Sequence, residues 1–233
     1  MERDTPLLTL YWILSGPQPW DLRGWLVFAL ISFWSLRLTW NWSSHWQGLS
    51  HEDWRYQHLR AKTGPRWALL LDFFGIHLLP TLQVFIALLP VFVLTQLASK
   101  PLNAIDLLAT MVTFSAVMIE LVADRQLHRF LATAKPGQFI DTGLWAWSRH
   151  PNYFGELSFW FGLMLFALAA SPDHYQWAVP GTLLMAAMLR FVSIPMMDQR
   201  CSERRSGYEK HMHRVPALIP VPPRWQKSGP HRK

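Results

Sequence analysis

The sequence predicts an all-α integral membrane protein, a bundle of about five transmembrane helices with a cavity facing the cytoplasm. Three observations carry that reading. Of 233 residues, 51% are hydrophobic and only 16% charged, against roughly 25% charged in soluble domains. Five apolar runs, 25–42, 74–96, 104–123, 153–170 and 177–195, come close to the roughly 20 residues that a helix needs to cross a bilayer. Seventeen of the 22 Lys and Arg fall in 43–66, 125–149 and 197–233, which five spans put on one side. The opposite connections, 98–103 and 171–176, carry Lys100 alone. The positive-inside rule makes the basic side, with the C-terminus, cytoplasmic.

The whole chain, 1–233, reads as one membrane domain. Its first 24 residues form a short N-terminal segment whose apolar run, 7–14, is too short to span and lacks the basic flank of a signal peptide. This segment is expected to be the remnant of a longer helical region. The first span, 25–42, leads into the polar stretch "RLTWNWSSHWQGLSHEDWRYQHLRAKTG", where Arg37 and Asn41 share a helix face. His51, Glu52 and Asp53 lie close together there, but such neighbours in a loop serve helix capping and surface pairing, and no metal is predicted. The second span starts at residue 74. A single helix over 67–97 would be about 46 Å long, so 67–73 is expected to be an interfacial lead-in. The third span ends at Asp124 and Arg125 and carries Glu120, read either as a helix-packing residue or as a ligand contact. Arg190 lies inside the fifth span, and an intramembrane Arg needs an anion, for which Glu156 or a phosphate would serve. The basic tail, 225–233, is expected to be mobile.

The fourth span opens with "GLWAWSRHPNYFGELSFWFG", and here the chemistry concentrates. Pro151 suits a first helical turn because its missing N–H would be unpaired there anyway. Asn152 and Glu156 are then i and i+4 neighbours on one face, with Gly155 between them to admit a backbone or a flat ligand. Arg149 and His150 beside a helix N-terminus favour phosphate. Ionisable residues inside a span are expensive and by default functional, so a polar cavity open to the cytoplasm is expected. A single cysteine, Cys201, excludes intrachain disulfides and cysteine-based zinc clusters. The chain lacks the Gly-x-Gly-x-x-Gly, Walker and Gly-x-Ser-x-Gly motifs. Its net charge of +7 follows from topology rather than from nucleic-acid binding.

Over 22–224 the chain resembles the steroid 5α-reductase C-terminal-like family of membrane oxidoreductases. The resemblance rests on "RLTWNWSSHWQGLSHEDWRY", "KPGQFIDTGLWAWSRHPNYFGE" and "GYEKHMHRVPALIPVPPR". The middle motif is shared with sterol C=C reductases and isoprenylcysteine carboxyl methyltransferases. The resemblance implies a helical bundle with a cytoplasm-facing cofactor cavity for NADPH and reduction of a C=C bond in a steroid-like or other apolar lipid. Its cofactor-binding positions are Asp124, Arg149, His150, Asn152, Tyr153, Glu156 and Arg190. The chain departs from the steroid reductases in lacking their Gln-Glu pair before residue 25, which leaves the catalytic acid unassigned, with Arg37 and Asn41 as the nearest polar substitutes. Two alternatives stay open: a SAM-dependent methyltransferase of the isoprenylcysteine carboxyl methyltransferase type, and a non-catalytic membrane protein that retains the cofactor fold. An ER membrane and a bacterial inner membrane fit equally well.

Overall fold

The structure, a computed structural model, describes residues 4–19, 21–44, 46, 48, 54–98 and 100–223. The metal question at His51, Glu52 and Asp53 and the tail 225–233 lie outside these residues. The described chain is helical, without strands: α1 (Thr5–Ser15), α2 (Leu22–Ser44), α3 (Trp54–Thr63), α4 (Leu71–Gln96), α5 (Ala104–Leu131), α6 (Pro151–Ala170), α7 (Pro172–Arg204) and α8 (Tyr208–Arg214). Helices α2, α4, α5, α6 and α7 are long and apolar enough to cross a membrane.

Each expected span is present, and two are longer than the hydropathy suggests. Helix α5 continues past residue 123 to Leu131, and α7 past 195 to Arg204, because polar residues that end an apolar run do not end a helix whose backbone bonds continue. The lead-in before residue 74 is helical as well. A 3-10 turn at Pro65–Trp67 and a single α turn at Ala68–Leu70 run into a π-helical stretch, Leu71–Leu78. Arg60 of α3 donates to Asp72 there at 2.8 Å, which ties the lead-in to α3.

The N-terminal apolar run forms α1, which packs on α2 and α4. Trp12 meets Phe92 edge-on at 5.8 Å, while Leu7, Tyr11 and Leu14 face outward. The core is aromatic where α2 and α6 meet. Trp34 stacks on Phe159 at 4.7 Å and meets Trp160 edge-on.

Helices α5 and α6 form the closest pair. A Cβ on Gly155 would stand 2.4 Å from Glu120 Cγ, and one on Gly162 would stand 2.0 Å from Thr113 Oγ1. Small residues that let backbones approach are the usual basis of helix association in membranes. Gly155 therefore admits the neighbouring helix, with the Ala116 carbonyl 3.0 Å from its notional Cβ.

At one end of the bundle, Arg23 donates to both oxygens of Asp106 at 2.7 and 2.9 Å and to the carbonyls of Lys100 and Pro101. Asp106 also belongs to the Asn103 capping box of α5. Arg23 is fully buried, and these acceptors supply the partners that a buried charge requires. At the other end, the segment after α8 is laced to the loop before α6. The Arg149 and His150 amides donate to Pro216 and Ala217, and Val221 N donates to Trp147 O. This lacing positions the candidate site.

Candidate functional site

Pro151 occupies the first turn of α6, with His150 just before it. This places Arg149, His150, Asn152 and Tyr153 around a helix start that faces α7 and α8. Asp198 of α7 is the hub. Arg149 donates to it twice, Nε to Oδ1 at 3.2 Å and Nη2 to Oδ2 at 2.7 Å. The Tyr208 hydroxyl donates at 2.9 Å, and His150 Nε2 lies 3.0 Å from Oδ1. A carboxylate can only accept, so His150 carries its proton on Nε2 toward Asp198. The remaining Arg149 nitrogen, Nη1, donates to the Met212 and Val215 carbonyls at 2.9 and 2.7 Å. Four donor atoms from the α6 lead-in and α8 thus converge on one carboxylate.

Beside this hub lies a cavity of about 120 Å³ that includes Arg149, His150, Asn152, Tyr153, Tyr208 and His211 in its lining. His150 and Tyr153 stack at 5.2 Å, 13° from parallel, and form a flat wall. Among the described residues, two buried polar atoms here have no partner, Asn152 Oδ1 and His211 Nδ1. Such atoms are rare in folded proteins. Burial holds the Tyr208 phenol well above its ordinary range, and the Asp198 charge adds to this, so it stays a donor. Burial, then the charge of Arg214, lowers His211, which favours its neutral form.

A second polar cluster lies between α2, α5 and α6. Arg37 pairs with Glu120 and, at 2.6 Å, with Asp124. Asn41 Nδ2 donates to Asp124 at 3.2 Å. Glu156, next to Glu120, accepts from the indoles of Trp34 at 3.1 Å and Trp160 at 2.7 Å.

The residues expected to share one site therefore divide into three groups. Arg149, His150, Asn152 and Tyr153 line the cavity. Asp124 and Glu156 sit in the buried ion cluster with Arg37 and Asn41. Arg190 sits on a π turn of α7, Leu189–Ser193, exposed, with its guanidinium 5.6 Å from the Phe191 ring centroid. It lines a separate groove of about 490 Å³. Arg149 and Asp198 contribute to the lining of this groove, and Arg149 also lines the cavity. Glu156 is held by the two indoles and does not meet Arg190. Asp198, Tyr208 and His211 were not expected at the site. They lie in the polar stretch "MDQRCSERRSGYEKHMH", where an acid directly after an apolar run was the one available signal. Among the described residues, no group of three or more His, Cys, Asp or Glu suits a metal ion.

A family described as "Protein of unknown function (DUF1295)" matches residues 5–215, and the chain belongs to it. The chain is also similar to "Uncharacterized protein C594.04c" of Schizosaccharomyces pombe (strain 972 / ATCC 24843). The two are 26% identical over 216 residues, which cover 83% of this chain and 61% of that protein. The chain thus spans less than two thirds of that relative's length. Neither match names the steroid 5α-reductase family. No solved structure matches significantly.

Proposed function

We propose that this member of the DUF1295 family is an NADPH-dependent membrane reductase of a C=C bond in a steroid-like or other lipid substrate, with its C-terminus cytoplasmic. The observation that carries the reading is the pairing of a flat His150–Tyr153 wall with the unpartnered Asn152 Oδ1 in one buried cavity. A nicotinamide presents a planar ring and a carboxamide N–H donor, and these features suit that wall and that acceptor. Ligand pockets for drug-sized molecules run to about 300–1,000 Å³, so a cavity of about 120 Å³ suits the nicotinamide end and not the whole dinucleotide.

When bound, NADPH would supply a hydride to a polarised C=C bond. The chain's own residues would do the holding. Asn152 would accept from the carboxamide, and the His150 ring, fixed by Asp198, would support the flat face. Arg149 is engaged by Asp198 and two carbonyls, so its part is to hold the α6 start in place. Arg37 and Asn41 are likewise engaged, with Glu120 and Asp124, so that one guanidinium is shared between two carboxyl groups.

The test is titration of the purified protein, in lipid, with NADPH and with SAM, together with mass identification of any co-purified cofactor. The expected result is saturable NADPH binding. SAM binding without NADPH binding would replace this reading with the methyltransferase one, and binding of neither would favour the non-catalytic one.

A further inference from the structure

We propose that Glu120 of α5 and Glu156 of α6 share one proton at neutral pH, with the hydrogen on Glu120 and the charge on Glu156. The pair is then a proton-binding site inside the bundle. It does not depend on which cofactor the His150–Asn152 cavity holds, because neither acid is part of that cavity's lining.

The hydrogen-bond pattern calls for a proton. Glu120 is 1% exposed, and its carboxyl lies within hydrogen-bonding reach of the Glu156 carboxyl. Ionised carboxylates only accept, so the two cannot bond to each other unless one of them carries a hydrogen. Glu156 accepts from two indoles, Trp160 on Oε1 and Trp34 on Oε2, which makes it the acceptor of the pair. Glu120 lacks such donors. Its Oε2 faces the Arg37 guanidinium, and its Oε1 is buried with no hydrogen-bond partner among the described residues. Buried polar atoms are rarely left so, and a hydrogen carried on Oε1 and donated to Glu156 resolves it.

The charges point the same way. Those that face Glu120 are Arg37 of α2, Asp124 of α5 and Glu156 of α6, two acids against one cation. Arg37 is itself divided between Glu120 and Asp124, the latter at 2.6 Å. With all three carboxyls ionised, one guanidinium would face three negative charges inside a membrane span, where an unpaired charge is costly. Two carboxyls that share a site do not both ionise readily.

The closest helix contact holds the two acids together. Glu120 bears on Gly155, where a Cβ would stand 2.4 Å from its Cγ, and Glu156 is the next residue of α6. Asn152 precedes Glu156 by four residues, about 6 Å along the helix, so the shared proton sits one turn inward from the cavity. A neutral Glu120 lets α5 and α6 seat without pressing two charges of one sign against each other.

The experiment is infrared spectroscopy of the purified full chain at pH 7, in an ester-free detergent, in H2O and in D2O. Wild type, Glu120→Gln and Glu156→Gln are compared, with thermal unfolding as the check on folding. Wild type is expected to show the C=O stretch of one protonated carboxyl per chain, displaced to lower frequency in D2O. Both variants are expected to lose it: Gln at 120 removes the acid, and Gln at 156 offers an amide N–H that lets Glu120 stay ionised beside Arg37. Absence of the stretch from wild type would overturn the proposal without recourse to any variant. Its persistence in Glu120→Gln would place the proton on another acid, and its persistence in Glu156→Gln would show that Glu120 holds it alone; either result also overturns the sharing.

Discussion

Asp198 accepts both hydrogen bonds of the Arg149 fork, at 3.2 and 2.7 Å, across 49 residues of sequence. This pair fastens α7 to the start of α6, and the same carboxylate holds His150 and Tyr208. Both side chains are nearly buried, at 10% and 7% exposure. Removing one partner of such a pair leaves an uncompensated charge, which costs about 3–5 kcal/mol. Asp198→Ala is therefore expected to lower thermal stability sharply in detergent or lipid. Stability equal to wild type would mean that the hub carries no structural load.

Gly155 and Gly162 set the α5–α6 distance. Gly162→Ala would push a methyl to within 2.0 Å of Thr113 Oγ1, and Gly155→Ala to within 2.4 Å of Glu120 Cγ. Overpacking of this kind costs about 1–3 kcal/mol, to be read from thermal unfolding. Thr113→Ala removes the closest atom, so combined with Gly162→Ala it is expected to recover part of the loss. Simple additivity of the two changes would argue against direct contact.

His211 makes stability depend on pH. Burial and Arg214 lower its folded-state pKa from the ordinary 6.5, so the unfolded chain binds its proton more readily. The contribution is complete above about pH 6.5 and is lost as pH falls toward the folded-state value. Unfolding measured from pH 7.5 down to 5 should show this fall, and His211→Gln should flatten it. An unchanged slope in the variant would assign the dependence to other groups.

Asn152→Ala removes the unpartnered Oδ1 from the cavity. If this oxygen receives the carboxamide of NADPH, affinity should fall about tenfold or more, the scale of a hydrogen bond worth roughly 1–1.5 kcal/mol or above. Thermal stability should change little, because no protein partner is lost. A fall in SAM affinity with NADPH affinity intact would transfer the cavity to the methyltransferase reading.

The charge asymmetry of the loops predicts the orientation. Lys100 and Asp173 are exposed in the connections opposite the basic end, and Lys210 is exposed in α8. In a Cys201→Ser background, cysteines at positions 100 and 173 should react with an impermeant thiol reagent from the non-cytoplasmic face, and a cysteine at 210 from the cytoplasmic face. The reverse pattern would invert the topology.

Hydropathy and punctuation alone determined that five helices are long and apolar enough to span, where the polar motif opens α6, and that Pro151 starts that helix. Those features are local: hydropathy sums over about 20 residues, and a proline acts within one turn. The tertiary structure alone decided who meets whom. Arg37 meets Asp124 across 87 residues and Trp34 meets Glu156 across 122, while Arg190, exposed on α7, and Glu156, held by two indoles, plausible partners by charge, do not meet. Gly155, open in sequence to a backbone or to a ligand, proved to be filled by α5. A charge's partner depends on the rotation and register of packed helices. These are set by contacts such as Gly162 on Thr113 and Trp34 on Phe159, and they leave no periodic trace in the sequence around the charge itself.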